Sequence, residues 1–397
     1  MVGAGYAGMT AAVTLAERGV PVTVFESGPV PGGRARRVTT EGRELDNGQH
    51  ILIGAYAELL RLMRLVGVPD DALLRLPLEL HYADGFRFKG ALDLLLPGGM
   101  PFRERIDAVR FMMFLRRRAF KLERDVPVSA LLEKHRQNGV IGHHVWRPLC
   151  VSALNTPPEQ ASAQVFATVL RDSLAGPAGA SDLLLPRVDL SKLFPEPAAD
   201  YVRARGGEIR TGSPVRDLAG LKKDFARVIV AVGPHQLKSL LPAIAPDYGY
   251  QPIYTCYLQY PEAVALPFPM LGFAEGLVQW AFDRAAISGK MRDERGLLAC
   301  VISAQGDHQQ MTHDELAATC HRELRTALPA LPEPQWSRVI AEKRATIACV
   351  PNLRRIDFRA GKNLLLAGDY LDPGYPPTLE AAVRSGLHAA RLLMEKN

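Results

Sequence analysis

Three glycines and one acid carry the most specific chemistry in this 397-residue chain. In Gly3-Ala4-Gly5-Tyr6-Ala7-Gly8 the first glycine makes a tight turn and the second lets a pyrophosphate approach the backbone. The third lets a helix pack closely on a strand. The start of that helix offers free N–H groups and a partial positive charge to phosphates. Glu26 closes the strand-like run Val22-Thr23-Val24-Phe25 and is placed to accept hydrogen bonds from a ribose 2′-hydroxyl. These residues predict a dinucleotide site. Ala11, Ala12, Leu15 and Ala16 at helical spacing, closed by Arg18-Gly19, supply the helix that the motif requires.

A second element follows. Gly32-Gly33-Arg34 lets the backbone pass a bulky ligand and brings a guanidinium to a phosphate. A nicotinamide site has no need of it, whereas a flavin dinucleotide lying extended across the protein does. At the other end of the chain, the apolar run Asn363–Ala367 closes on Gly368-Asp369. Pro376-Pro377-Thr378-Leu379 then opens a last helix whose N-terminus can face a ligand.

Titratable groups are fewer. His50, in Asp46-Asn47-Gly48-Gln49-His50, can exchange a proton near neutral pH, and it reads either as an acid–base group or as a structural histidine. Tyr370 and Tyr375, beside the last helix, can donate a proton, as can Asp283 if burial raises its pKa. His143 and His144 are adjacent and point in different directions, so no metal site is expected. The five cysteines are odd in number, widely spaced and form no CxxC, which fits a reducing compartment.

The elements that must position these residues alternate along the chain. The buried-strand run Val228–Val232 and the run before Gly368 return to a nucleotide-binding sheet. Between them, alternation at Tyr254, Cys256, Leu258 and at Val278, Trp280, Phe282 predicts antiparallel strands. Residues 126–176 read as helical with a break at Trp146-Arg147-Pro148-Leu149, and helices are predicted near 195–205 and 312–328. Residues 77–102 read as a hairpin followed by the apolar loop Leu94–Gly99. The fold class is α/β, a Rossmann-like part with an inserted α+β substrate part. The division is 1–76, 205–245 and 346–397 for the cofactor, with 77–204 and 246–345 for the substrate.

Net charge of +6 and no run of 18 apolar residues describe a mildly basic chain without a spanning helix. Phe111-Met112-Met113-Phe114-Leu115 beside Arg116-Arg117-Arg118 reads as a helix lying on a lipid surface, or as a core helix with a charged end. The fingerprint occupies the N-terminus and leaves no room for a signal peptide, so the expected location is cytoplasmic. Only Met1 and Val2 precede Gly3, against about five residues in an ordinary buried strand. Either that strand is unusually short or, as we expect, the natural product is longer at its N-terminus.

The order of these motifs resembles the FAD-dependent amine oxidase and phytoene desaturase superfamily over the whole chain. The resemblance implies FAD as cofactor, with Gly3, Gly5, Gly8, Gly32, Gly33, Arg34 and Gly368 forming its bed. It implies Glu26 on the adenosine ribose, Val215 on the adenine through its backbone and Asp369 on the ribityl–pyrophosphate region. Thr378 and Leu379 would start the helix aimed at the flavin. Asp46–His50, Trp146–Cys150, Leu154–Ala163 and Ser181–Pro186 further resemble the bacterial hydroxysqualene dehydroxylases. That family removes the hydroxyl of hydroxysqualene by reduction to give squalene. The resemblance implies an isoprenoid lipid substrate and no nucleic acid; a nearly insoluble isoprenoid points to a membrane surface, at the inner face of the cytoplasmic membrane, and a single dinucleotide motif to an external electron donor. His50 and Tyr375 are the catalytic candidates. A carotenoid desaturase would share the flavin motifs, and an amine oxidase would carry a lysine in the stretch resembling Ile253-Tyr254-Thr255-Cys256, where none stands.

Overall fold

The computed structural model describes residues 1–90, 93, 99–290 and 292–395. Its organising layer is a largely parallel sheet to which the start, middle and end of the chain all contribute. Glu208–Arg210 lies beside Thr23–Phe25 in parallel, with Ile209 opposite Val24. Val228–Val230 lies beside Leu364–Leu366 in parallel, and Arg359–Gly361 adds an antiparallel edge. Val2 bridges the two halves, pairing with Phe25 on one side and Val230 on the other. The central strand is therefore very short, held by Val2 N–H to Ile229 O at 2.9 Å and Gly3 N–H to Phe25 O at 2.8 Å. Val228–Val230 and Leu364–Leu366 are wholly buried, as apolar runs in a parallel sheet covered on both faces must be.

The helix Tyr6–Glu17 is buried from Tyr6 to Ala16 because it lies under the last helix, Leu379–Met394. Their crossing depends on a missing side chain: a Cβ on Gly386 would stand 2.3 Å from the Ala7 carbonyl oxygen. Leu190, Phe194, Ala198 and Val202 share this core with Leu15 and Val24. The helix Pro195–Arg203 thus packs into the same core as the parallel sheet.

The second layer is a five-stranded antiparallel sheet, in the order Met270–Gly272, Trp280–Asp283, Leu297–Ser303, Tyr250–Gln259, Trp336–Ile347. The helix His313–Ala327 packs against Tyr250–Gln259 and Trp336–Ile347, its start fixed by a Thr312–Glu315 capping box. A helical cap completes the fold with Phe102–Arg117, Val128–Lys134, Arg147–Leu154 and Ala163–Asp172. The expected break at Trp146-Arg147-Pro148 is instead a change of pitch. One π-helical turn, Gly142–Trp146, runs directly into the α-helix Arg147–Leu154, because Pro148 sits in a first turn that needs no N–H from it.

One expectation about the cap changes. Phe111 cannot meet a lipid surface, since it has 0% exposure and packs 5.9 Å from the Trp146 ring. Ala108, Phe111 and Leu115 recur at helical spacing and form the inner face of that helix. Phe114 is half-buried, its ring 4.3 Å from His135 at a tilt of 38° and under Arg118. The hairpin is seen as Leu80–His81 paired with Arg87–Phe88, while the apolar residues 94–98 lie outside the described residues.

Candidate active site

Both layers line a cavity of about 510 Å³. The parallel-sheet layer presents Gly3, Gly5, Glu26, Gly32, Gly33, Arg34, Gly368, Asp369, Thr378 and Leu379 to it. These residues are scattered over nearly the whole chain and converge because three separate segments supply one sheet. Gly3 adopts φ +98, and a Cβ there would stand 2.5 Å from the Ala231 carbonyl oxygen. Gly8 acts behind the cavity, where a Cβ would meet the Gly3 carbonyl oxygen at 2.0 Å. Gly5 faces the opening. A Cβ on it would find only Gly33 Cα, at 3.9 Å, and the helix beyond it starts without a side-chain cap. Uncapped N–H groups at a glycine-lined helix start suit a phosphate.

Polar groups stitch the motifs together. Glu26 accepts the Ala4 N–H and the Gly28 N–H, each at 2.7 Å. It therefore holds the glycine turn as well as facing the cavity. Gly32 N–H donates to Ala4 O at 2.8 Å, joining the second glycine element to the first. Arg34 donates to Asp369 Oδ1 and to the Ala345 carbonyl, both at 2.7 Å. Tyr370 lines the cavity with its hydroxyl buried and without a hydrogen-bond partner among the described residues. Burial raises its pKa, so it keeps its proton and remains a donor. An orphaned donor of this kind, beside glycines that would clash if enlarged, fits an anionic dinucleotide.

The Asp46–His50 segment is anchored residue by residue. Asp46 accepts the Leu190 N–H at 2.8 Å and pairs with Arg292 at 3.2 Å, while Tyr257 donates to its carbonyl at 3.0 Å. Asn47 donates to Arg34 O at 2.8 Å and to Glu342 at 3.3 Å. Gln49 accepts from Arg284 at 2.8 Å. Arg284 is only 2% exposed and pairs with Glu294 at 3.2 Å. His50 lines the cavity and places Nδ1 3.2 Å from the Gly48 carbonyl oxygen, which requires the hydrogen on Nδ1 and leaves Nε2 as an acceptor. Burial lowers its pKa, and the nearby Arg34 charge adds to this, so the ring is neutral at neutral pH.

Other candidates fall elsewhere. Tyr375 is buried outside the cavity lining, with the Arg384 guanidinium 4.3 Å over its ring. Asp283 spends both oxygens on backbone N–H groups, those of Leu266 at 2.9 Å and Ala286 at 2.8 Å, and so caps a short helix. Val215 is half-buried against the sheet and does not line the cavity. Sequence reasoning missed Arg284, Glu342, Arg344 and Asn155. Asn155 alone carried a signal, an asparagine before Thr156-Pro157 that adopts the left-handed conformation at φ 44. It receives the Ala304 N–H at 2.9 Å and donates to Thr346 at 3.0 Å, tying cap to sheet at the cavity.

A glycine-lined cavity between a parallel and an antiparallel sheet belongs here to a flavin-dependent oxidoreductase, with FAD as cofactor. The chain belongs to the flavin containing amine oxidoreductase family, which it matches over residues 6–394. It is 28% identical to the hydroxysqualene dehydroxylase of Zymomonas mobilis, covering 99% of this chain and 98% of that protein. It is 27% identical to the hydroxysqualene dehydroxylase of Sinorhizobium fredii, covering 100% and 98%. In fold it is similar to a putative protoporphyrinogen oxidase from Exiguobacterium sp. 255-15, with a TM-score of 0.72 at 16% identity over 99% of this chain and 97% of that one.

Proposed function

We propose that this chain removes the hydroxyl of hydroxysqualene by reduction, giving squalene. The reading rests on its end-to-end similarity to hydroxysqualene dehydroxylases, including the motifs of the substrate part. Ile253, which lines the cavity, lies in a strand without lysine, which separates the chain from amine oxidation.

FAD, when bound, supplies the two-electron reduction. The chain's own residues would hold it: the helix start after Gly5 and the Gly32–Gly33 turn would take the pyrophosphate, and Glu26 the ribose. The Arg34–Asp369 pair would flank the bound cofactor, and the helix opening at Thr378–Leu379 would present its N-terminus to the flavin. Tyr370, whose buried hydroxyl lacks a partner among the described residues, would donate its hydroxyl hydrogen to the bound cofactor. His50 is held in one tautomer by Gly48, and its free Nε2 accepts the hydroxyl hydrogen of the substrate, orienting the group that departs. Full proton donation to that oxygen requires a second proton on His50, which burial opposes, so the reaction favours acid pH. One dinucleotide motif leaves no place for a nicotinamide, so electrons arrive from an external donor. A membrane surface, at the inner face of the cytoplasmic membrane, is the source of the isoprenoid.

The test is anaerobic. Photoreduced enzyme is mixed with hydroxysqualene, and flavin reoxidation and squalene are followed together. Coincident reoxidation and squalene formation support the reading. Reoxidation without squalene, or none at all, overturns it, and turnover of a polyene in the oxidative direction would move the enzyme to carotenoid desaturation.

A further inference from the structure

The helix Phe102–Arg117 has two apolar faces, and only one of them is covered. Ala108, Phe111 and Leu115 face the core. Phe102, Ile106, Val109 and Met113 recur at i, i+4, i+7 and i+11, on the opposite side. Phe102 is 68% exposed and Met113 46%, and these are two of the three large hydrophobic side chains that stand exposed among the described residues. Ile106 and Val109 between them are partly exposed.

The borders of this stripe are cationic. Arg103, Arg110 and Arg117 follow one edge at seven-residue intervals, and Arg116 lies on the other, all exposed. Arg103, Arg116 and Arg117 have no carboxylate partner among the described residues. Of the two carboxylates of the helix, Glu104 accepts the Ile141 N–H at 3.3 Å and Asp107 pairs with the border residue Arg110 at 3.4 Å, leaving the other three border arginines unmatched among the described residues. A ridge of apolar side chains between rows of guanidinium groups matches an acyl boundary beneath anionic head groups.

From this we infer that the outer face of Phe102–Arg117 is the surface by which the protein lies on an anionic phospholipid bilayer. Phe102 and Met113 insert, and the flanking arginines meet phosphates. The inference rests on the proposed function for its purpose, access to an isoprenoid held in lipid, but its geometry is independent of the substrate. The other sign of surface would not fit, because guanidinium rows repel a cationic partner. A flat row of alkyl and aromatic side chains also offers few donors or acceptors for a specific polar protein.

Vesicle flotation of the FAD-loaded enzyme, without substrate, tests it. Phosphatidylcholine vesicles with and without phosphatidylglycerol are compared. Wild type should float with the anionic vesicles and be released by salt. Phe102→Ser with Met113→Ser should weaken binding on the order of tenfold or more. Arg103→Gln, Arg116→Gln and Arg117→Gln should each cost about fivefold on anionic vesicles and little on neutral ones. FAD content reports the fold of each variant, and turnover of detergent-dispersed hydroxysqualene should stay at the wild-type level. Wild type that floats with neither vesicle, or variants that all float like wild type, would overturn the surface and assign the stripe to a protein partner. Loss of flotation with intact detergent turnover supports it, and absent turnover in wild type indicts the substrate reading instead.

Discussion

Arg34 and Asp369, 335 residues apart in sequence, share a hydrogen-bonded ion pair at 2.7 Å on the wall of the cavity. The pair joins the second glycine element to the last strand of the same sheet. The Arg34 guanidinium also reaches the Ala345 carbonyl, at the end of the antiparallel sheet, so one side chain ties both layers.

Removing either partner should loosen the cofactor bed. Arg34→Ala leaves the buried Asp369 carboxylate unpaired, and the loss of charge-assisted hydrogen bonds costs roughly 1.5–3 kcal/mol. The expected result is FAD lost on gel filtration, with Arg34→Lys only partly rescuing, because an ammonium cannot span both acceptors in the guanidinium geometry. Equal retention of FAD in Arg34→Ala would remove the pair from cofactor binding.

Glu26 should matter before any cofactor is bound. Both of its oxygens hold backbone N–H groups of the glycine loops. Glu26→Ala should therefore lower the unfolding temperature of the apoprotein as well as FAD affinity, by about 1–3 kcal/mol for the stranded donors. Glu26→Gln, which keeps one acceptor, should lie between. An apoprotein of unchanged stability would confine Glu26 to the ribose.

Gly386→Ala should be among the most disruptive single-methyl substitutions. The added carbon would stand 2.3 Å from the Ala7 carbonyl oxygen and 2.9 Å from Thr10 Cβ. Overpacking of this kind costs roughly 1–3 kcal/mol and would tilt the last helix away from the first. Thermal unfolding and FAD retention should fall together, since both helix starts line the cavity.

The pH dependence of His50 has a definite sign. Its folded-state pKa lies below the ordinary value of 6.5, because burial disfavours the charged ring. Its neutral form therefore contributes stability at high pH that is lost as pH falls from 6.5 through the folded value. Turnover should run the other way, rising toward acid pH as Nε2 gains its proton. In His50→Gln the stability loss at acid pH should shrink and the acid-side gain in turnover should vanish, with a rate lower by about a hundredfold. A pH–rate profile unchanged in that variant would remove His50 from the proton path.

The local physics of several elements was legible without coordinates. A glycine turn, an apolar strand and a helix with small residues on its inner face occur together only where a backbone must pass close to something. The motifs at Gly3–Gly8, Gly32–Arg34 and Gly368–Asp369, far apart in the chain, come together at one cavity. Alternation at Tyr254, Cys256 and Leu258 announced an antiparallel strand; these three enter one core while Ile253 and Tyr257 enter another, so the strand is covered on both faces.

What only the tertiary structure decided concerns which of two equivalent faces is covered, and which partner a polar atom finds. The helix Phe102–Arg117 has apolar residues on two sides, so periodicity alone could not say that Phe111 lies inside and Phe102 outside. Asp283 and Tyr375 stand near the right strands in sequence, yet the fold spends one as a helix cap and sets the other outside the cavity lining. Arg284 gave no sequence signal, because its role depends on burial beside Glu294 and on reaching Gln49 across 235 residues of chain. Local sequence sets backbone preference and burial period through short-range sterics and solvation. Pairing between distant polar atoms is set by how the layers pack, and that is settled only when the whole chain is folded.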